Sequence, residues 1–528
     1  MTPLTRTRLA CLIALASCVL TACTIGDPGA EATATPAASS EPTATPSPST
    51  TPSVDPSVDE AADFHSVDDY AAQDLDWSDC GDGFECATLT APRDYDDPAG
   101  ATIEVAVNRL PSTGTADRIG SLLINPGGPG ASGMDYARTP DVVSGTILDA
   151  FDLVGFDPRG VGASTPIECL GDAAFDEFVA VDGTPDDEAE VATLDEASRE
   201  FAEACEATSG ELLPHVGTAD VARDVDLLRR VLGDDELYFL GKSYGTFIGA
   251  VYADLFPEHV GRLVLDGALD PSQSSLEQGI AQAEGFDGAL NAFAADCADD
   301  ADCTLDGSAA DIAGQVGGLL AEADATPLPT ITDRSLNESL ATFGVAVALY
   351  DREYGWPLLQ EALSTALEGD GTILLTLSDI YFERQDDGTY GSNSNEVNVA
   401  VNCIDHGDAA GLDAVADDLP LYLDRAPVFG SLLAYSSLVC SHWPVDPQLE
   451  PHEVTAPGAA PILVVGTTRD PATPYAAAVA LADQLESGVL LSFDGDGHTA
   501  YGLGSTCVDG AVDTYLLTGE PPADGTSC

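Results

Sequence analysis

A serine set between two glycines, where a strand-like run gives way to a helical one, constrains this chain more than any other stretch. The segment is Gly241-Lys242-Ser243-Tyr244-Gly245, preceded by the apolar Leu237–Leu240 and followed by Thr246–Phe256 with helical spacing. A turn so sharp lifts the serine hydroxyl clear of the chain, and the glycines let neighbouring backbone pass without a Cβ clash. With 51 glycines in 528 residues the pattern alone is weakly selective, so its surroundings must carry the argument.

Three further strand-like runs end in residues of the matching chemistry. Ser121–Asn125 leads into Pro126-Gly127-Gly128-Pro129-Gly130, a turn whose backbone N–H groups suit an oxyanion. Pro461–Gly466 leads to Asp470, and Val489–Phe493 leads through Asp494-Gly495-Asp496-Gly497 to His498. The order serine, aspartate, histidine is that of α/β hydrolases and of neither the chymotrypsin nor the subtilisin class. Asp266 also follows a strand-like run and is the rival acid, although Leu265-Asp266-Gly267 reads equally as a strand-ending turn.

Eighteen basic residues against 90 acidic ones give a net charge of −72, which repels nucleic acid and anionic membrane surfaces. The only lysine is Lys242, beside the serine. Two readings stand for it: a cation near developing negative charge, or a side chain packed sideways into the core.

The first 23 residues read as an export signal, with Arg6 and Arg8 before an apolar run Leu9–Leu20 too short to span a bilayer. Leu20-Thr21-Ala22-Cys23 resembles a bacterial lipobox, which makes Cys23 the lipid-bearing first residue of the mature chain; ordinary cleavage near Ala22 is the alternative. Residues 24–74 are expected to be a disordered linker rich in Thr, Pro, Ser and Ala, with almost no large apolar residue before Asp59. Outside the leader and Cys23, ten of the 13 cysteines remain, an even number that suits an oxidising compartment. Sequence leaves their connectivity open, and proximity along the chain suggests Cys80–Cys86, Cys169–Cys205, Cys297–Cys303, Cys403–Cys440 and Cys507–Cys528. No C-x-x-C pair points to zinc, and neither a metal nor an organic cofactor is expected.

Eight strand-like runs follow the linker: Phe84–Pro92, Thr102–Leu110, Ser121–Asn125, Phe151–Phe156, Leu237–Leu240, Arg262–Leu265, Ile462–Val465 and Val489–Phe493. Helical patterns between the later ones predict a mostly parallel eight-stranded sheet covered on both faces. The interval 271–456 reads as helices, including Leu336–Tyr350, Pro357–Leu367 and Asn395–Ile404, and is expected to be an inserted cap. The hydrolase core then comprises residues 75–270 and 457–528.

From roughly Trp77 to Cys528 the chain resembles the actinobacterial secreted tripeptidyl-aminopeptidase group of α/β hydrolases, relatives of the proline iminopeptidases. The likeness rests on Glu85-Cys86-Ala87-Thr88-Leu89, Asn125–Gly130, Asp157-Pro158-Arg159-Gly160, Gly241–Gly245, Leu265-Asp266-Gly267, Asp470-Pro471-Ala472-Thr473-Pro474-Tyr475 and Gly497-His498. Asn125-Pro126 stands where proline iminopeptidases commonly carry a histidine, which loosens that more distant analogy. The resemblance implies Ser243 as nucleophile, His498 as base then acid, Asp470 as the orienting carboxylate, and the N–H groups of Gly128 and Tyr244 as the oxyanion hole. Asp157 and Arg159 are read as a turn-locking ion pair, and His65, His215, His259, His406, His442 and His452 as surface or packing residues.

Removing residues from a free N-terminus requires an anion for the protonated amine, whose pKa of roughly 7.7–8.0 keeps it mostly charged at neutral pH. Glu353, Glu383, Glu396 and Asp405 are the cap candidates, each competing with a plain solvated role. Tyr350, Tyr354, Trp356 and Tyr381 suit either a pocket wall or the cap's own core. The expected protein is a monomeric serine exopeptidase acting on peptides, touching the membrane only through its lipid. A carboxylesterase on the same triad is the second reading, and a non-catalytic binding protein the third.

Overall fold

The computed structural model describes residues 64–114, 118–406 and 411–528. The export signal, Cys23 and most of the linker lie outside these residues. Among the described residues ten strands form one sheet: β1 Ser78–Asp79, β2 Glu85–Pro92, β3 Thr102–Leu110, β4 Gly120–Asn125, β5 Phe151–Phe156, β6 Leu237–Lys242, β7 Val260–Asp266, β8 Ile462–Arg469, β9 Gly488–Asp496 and β10 Thr526–Ser527. Their order is β1-β2-β3-β5-β4-β6-β7-β8-β9-β10. The pairs from β5 to β10 are parallel and those from β1 to β5 through β3 antiparallel, a mostly parallel sheet with one antiparallel margin.

The central strands are buried along most of their length because helices cover both faces. Every residue of β4 is buried, as are Ile462 to Gly466 of β8. The eight expected strands gain two at the margins, each of two residues and too short to show a period. Disulfides tether both: Cys80–Cys86 closes the β1–β2 hairpin, and Cys507–Cys528 ties the last residue to helix Thr506–Thr518. The other three bridges are Cys169–Cys205, Cys297–Cys303 and Cys403–Cys440.

Two expectations are corrected, one of a boundary and one of an ion pair. Residues 64–74, assigned to the linker, are packed on the core: Tyr70 of helix Val67–Ala71 is fully buried, stacks 4.1 Å from Phe64 and donates its hydroxyl to the Pro98 carbonyl at 2.9 Å. Polar composition hid two aromatic anchors. Arg159 does not pair with Asp157 but makes a two-pronged bond to Asp224, both contacts 2.7 Å, while Asp157 accepts from Ser132, Met134 and Ala163.

Between β7 and β8 the chain builds a cap of helices, of which Ser275–Asp299, Glu338–Leu349 and Ser394–Asp405 matter most below. A second piece of chain joins it. Helices Asp172–Val179 and Glu188–Ser209 lie between β5 and β6, yet Arg384 of the cap pairs with Asp176 at 2.6 Å and His442 with Asp195 at 2.8 Å.

Tyr70→Ala should lower unfolding free energy by about 3–5 kcal/mol in urea titration, the range for emptying a buried aromatic site. A linker residue would leave the midpoint where it was.

Candidate active site

Four loops leave the carboxyl ends of β4, β6, β8 and β9 and meet over the sheet, where open α/β sheets bind their ligands. Ser243 is the hinge between β6 and helix Tyr244–Leu255, with φ 53° and ψ −126°, a conformation L-residues rarely adopt. Its strain is held from two sides: the Ser243 N–H donates to the Asp266 carbonyl at 2.9 Å, and its own carbonyl accepts from the Thr246 N–H at 2.8 Å and hydroxyl at 2.6 Å. A β-carbon on Gly241 would stand 2.3 Å from the Gly245 oxygen, so side chains at the flanking positions would force the elbow open.

The Pro126–Gly130 turn presses against the same elbow. A β-carbon on Gly127 would lie 2.9 Å from Ser243 Cβ and 2.9 Å from the Tyr244 nitrogen, and φ there is 103°. Asn125 fixes the turn by accepting the Gly127 N–H at 2.9 Å. Tyr244 is the first residue of its helix, so its N–H finds no acceptor within the helix and points out of the N-terminal end. Gly127 and the Tyr244 nitrogen therefore lie beside Ser243, and Gly128, the next residue of the turn, lines the same cavity.

His498 follows β9, and its Nδ1 faces both oxygens of Asp470, at 2.8 and 3.0 Å. Asp470 is buried and accepts three backbone N–H groups as well, from Ala472, Thr473 and Thr499 at 2.9 to 3.0 Å. A carboxylate so fully bonded holds the imidazole by Nδ1, which makes Nε2 the nitrogen that can serve a hydroxyl. The ring lies beside the elbow: a β-carbon on Gly267, next to the residue that holds the Ser243 N–H, would be 3.4 Å from His498 Cε1. Such a set can take a proton from a serine, stabilise the imidazolium formed, and hold an oxyanion.

Asp266, the rival acid, is fully buried but serves other groups. Its carboxylate accepts from the Ala500 and Tyr501 N–H groups at 3.0 Å and stands 3.7 Å from Lys242 Nζ. Lys242 donates to the Tyr501 carbonyl at 2.6 Å, so it packs sideways and braces the histidine loop. Burial pushes the Lys242 ammonium down and the Asp266 carboxyl up from their ordinary values, and each partly restores the other's charge.

This chain is homologous along most of its length to known hydrolases. The family described as TAP-like protein matches residues 426–528. A serine protease Hip1 of Mycobacterium tuberculosis is 40% identical over 478 residues, covering 86% of this chain and 91% of that one. A tripeptidyl aminopeptidase of Streptomyces lividans is 36% identical over 473 residues, 86% of each chain, and a carboxylesterase B of M. tuberculosis is 39% identical over 456 residues, 84% and 86%. The chain belongs to the tripeptidyl-aminopeptidase-like family of α/β hydrolases.

In this TAP-like hydrolase a cavity of about 1450 Å³ lies between cap and sheet, lined by Ser243, His498, Gly128 and Tyr244 below and by cap helices above. Tyr350 joins the two halves: its carbonyl accepts the His498 N–H at 2.9 Å and its ring meets the imidazole edge-on at 5.2 Å. Sequence left Tyr350 as one aromatic among several. Tyr354 and Tyr381 also line the cavity, whereas Trp356 is buried against Phe293.

The four acids proposed for an amine separate cleanly. Glu396 accepts the Cys169 and Leu170 N–H groups at 3.2 and 2.7 Å and is absent from the Ser243 cavity, a correction: it pins the second cap segment. Glu353 is exposed at the cavity rim. Asp405 lines the cavity, but Thr218 occupies both its oxygens. Glu383 lines it too, with φ 58° at its own backbone; burial, and then the neighbouring Asp135 carboxylate, raise its pKa against the pull of the Ser392 and Ser394 hydroxyls. Ser394 packs on the oxyanion turn, for a β-carbon on Gly130 would meet its carbonyl oxygen at 2.2 Å. Among the described residues, one carboxylate group could share a cation, Asp182, Glu190 and Asp324, and none of these lines the Ser243 cavity.

Lys242→Met should cost about 3–5 kcal/mol, because Asp266 would keep a buried charge without its cation. Adding Asp266→Asn should return much of that loss in a double-mutant cycle measured by urea unfolding.

Proposed function

We propose that this protein is a serine exopeptidase that releases short peptides, tripeptides foremost, from free N-termini. Ser243 attacks the scissile carbonyl, His498 takes its proton and returns it to the leaving amine, Asp470 orients and balances the imidazolium, and the N–H groups of Gly128 and Tyr244 receive the oxyanion. A second step, in which water replaces the amine, frees the acyl peptide.

One observation carries the exopeptidase part. Glu383 stands in the wall of the Ser243 cavity, beside the oxyanion turn, and among the described residues the groups that act on it are the hydroxyls of Ser392 and Ser394 and the carboxylate of Asp135, with no cation. A protonated N-terminus supplies the missing charge. The names of the relatives, a serine protease and a tripeptidyl aminopeptidase, support this reading. That of the carboxylesterase, together with an apolar cavity wall, keeps ester hydrolysis as the competitor.

We further propose that the enzyme works outside the cytoplasm as a monomer, tethered to the membrane by a lipid on Cys23 and acting on peptides rather than nucleic acids. Five disulfides support the compartment.

Protein lacking residues 1–23 should cleave a free Ala-Ala-Pro chromogenic tripeptide and not its N-acetylated form, and Ser243→Ala should abolish the activity. Glu383→Gln should raise KM for the free-amine peptide about tenfold or more, the worth of a hydrogen bond to a charged group, while hydrolysis of a short acyl ester stays unchanged. Equal rates on acetylated and free peptides would reject the exopeptidase.

A further inference from the structure

A buried chain of hydroxyls runs from the cap to the residue after the nucleophile, and the chemistry above makes no use of it. Asp405 ends helix Ser394–Asp405 and is 4% exposed. The backbone N–H of Thr218, first residue of core helix Thr218–Leu232, donates to Asp405 Oδ1 at 2.9 Å, and the Thr218 hydroxyl donates to Oδ2. Thr218 Oγ1 also bonds the Tyr244 hydroxyl. Asp405 and Tyr244 both line the Ser243 cavity, as does Phe247, whose ring centre is 6.3 Å from that of Tyr244.

Thr218 has one hydroxyl proton, so the chain has a direction. When Asp405 is ionised it takes that proton in a hydrogen bond, and the Thr218 oxygen accepts from Tyr244. The phenolic proton then points inward, and the phenol oxygen has only lone pairs to offer elsewhere. A protonated Asp405 reverses the sequence: the carboxyl donates to Thr218, Thr218 donates to Tyr244, and the phenolic O–H is released as a donor.

The surroundings leave Asp405 able to change state. Burial pushes its carboxyl up to about 7 against the pull of Thr218. Asp220, on the Thr218 helix, is the charged neighbour that pushes the same way, and it is itself held by Arg223 at 2.7 Å and lies 3.7 Å from Arg159. From the nucleophile helix comes Tyr244, whose own pKa burial drives well above its ordinary value, so it stays neutral. His406 follows Asp405 and lines the cavity, and the neutral Gln448 approaches beside Gly217.

We propose that Tyr244 is a specificity-determining residue whose phenol oxygen, held as an acceptor by Asp405 through Thr218, receives an N–H of the peptide substrate. An ester without N–H groups gains nothing from it. Asp405 and Thr218 are thus positioning residues for peptide over ester, an inference that rests on the peptidase reading above.

The test is the ratio of kcat/KM for the free Ala-Ala-Pro chromogenic peptide to that for a short acyl ester, followed from about pH 5.5 to about pH 8. Both substrates need the same serine and histidine, so their common titration cancels in the ratio. Glu383 and the substrate amine titrate too, and variants separate their part. The ratio should rise with pH in the wild type. Asp405→Asn and Thr218→Val should each lower it about tenfold at the upper end and flatten its rise, with ester kcat/KM within about twofold of wild type. Should Asp405→Asn fail to fold, Thr218→Val alone decides. Variants that keep the wild-type ratio and its pH course, or that lose peptide and ester turnover in equal proportion as a packing residue would, overturn the inference. Ester hydrolysis by wild type without peptide hydrolysis rejects instead the peptidase reading on which it stands.

Discussion

The active-site assembly depends on one buried aspartate that does no chemistry. Asp266 ends β7; its carbonyl holds the Ser243 N–H, and its carboxylate holds the Ala500 and Tyr501 N–H groups just past His498. Nucleophile and base come from strands far apart in sequence, and this residue touches the loops of both. Lys242 reaches from the elbow to the Tyr501 carbonyl and completes the brace. A charge in so dry a place is costly unless paired and hydrogen-bonded, and here it is both. The result is a histidine loop that cannot shift relative to the serine, the preorganisation that acyl transfer needs.

A second set of contacts makes the cap part of the catalytic frame. Tyr350 holds the His498 backbone, and Arg352 reaches from the cap to Asp496 at 3.1 Å, where Arg469 also binds. Asn398 of the cap donates to the Pro129 carbonyl at 3.3 Å, in the turn proposed as the oxyanion hole. Substrate therefore enters a space whose roof and floor share hydrogen bonds.

The sequence disclosed what depends on local pattern and withheld what depends on long-range packing. Ser243, Asp470 and His498 were legible because each ends an apolar strand run, and the elbow needs glycines that the sequence displays. Arg159 was misread because its partner Asp224 lies 65 positions away, and an adjacent carboxylate is the tempting choice. The same holds for Glu396, which looks like any cap acid until Cys169 and Leu170 bring their N–H groups to it. Helices Asp172–Val179 and Glu188–Ser209 have the amphipathic character of helices that cover a sheet, and only their contacts with Arg384 and His442 show them to belong to the cap.

Charge decides which substrates such a cavity favours. Among the described residues its lining holds nine Asp and Glu against one lysine and one arginine, Lys242 and Arg352, besides three histidines, and the lysine and arginine are already engaged. On a chain of net charge −72 this potential is reinforced from outside rather than offset. Low-dielectric walls concentrate such a field, so a cationic peptide end is drawn in and a carboxylate is repelled. A substrate that presents its N-terminus while its C-terminal carboxylate stays far off satisfies both conditions. On the proposed exopeptidase reading, that is a peptide gripped at its amino end and cut a few residues along, with the remainder of the chain still outside; a free short acid would meet repulsion throughout the cavity. On that reading the acidity of the cavity also orders the substrate, and Glu383, beside the oxyanion turn, is where that order would be read.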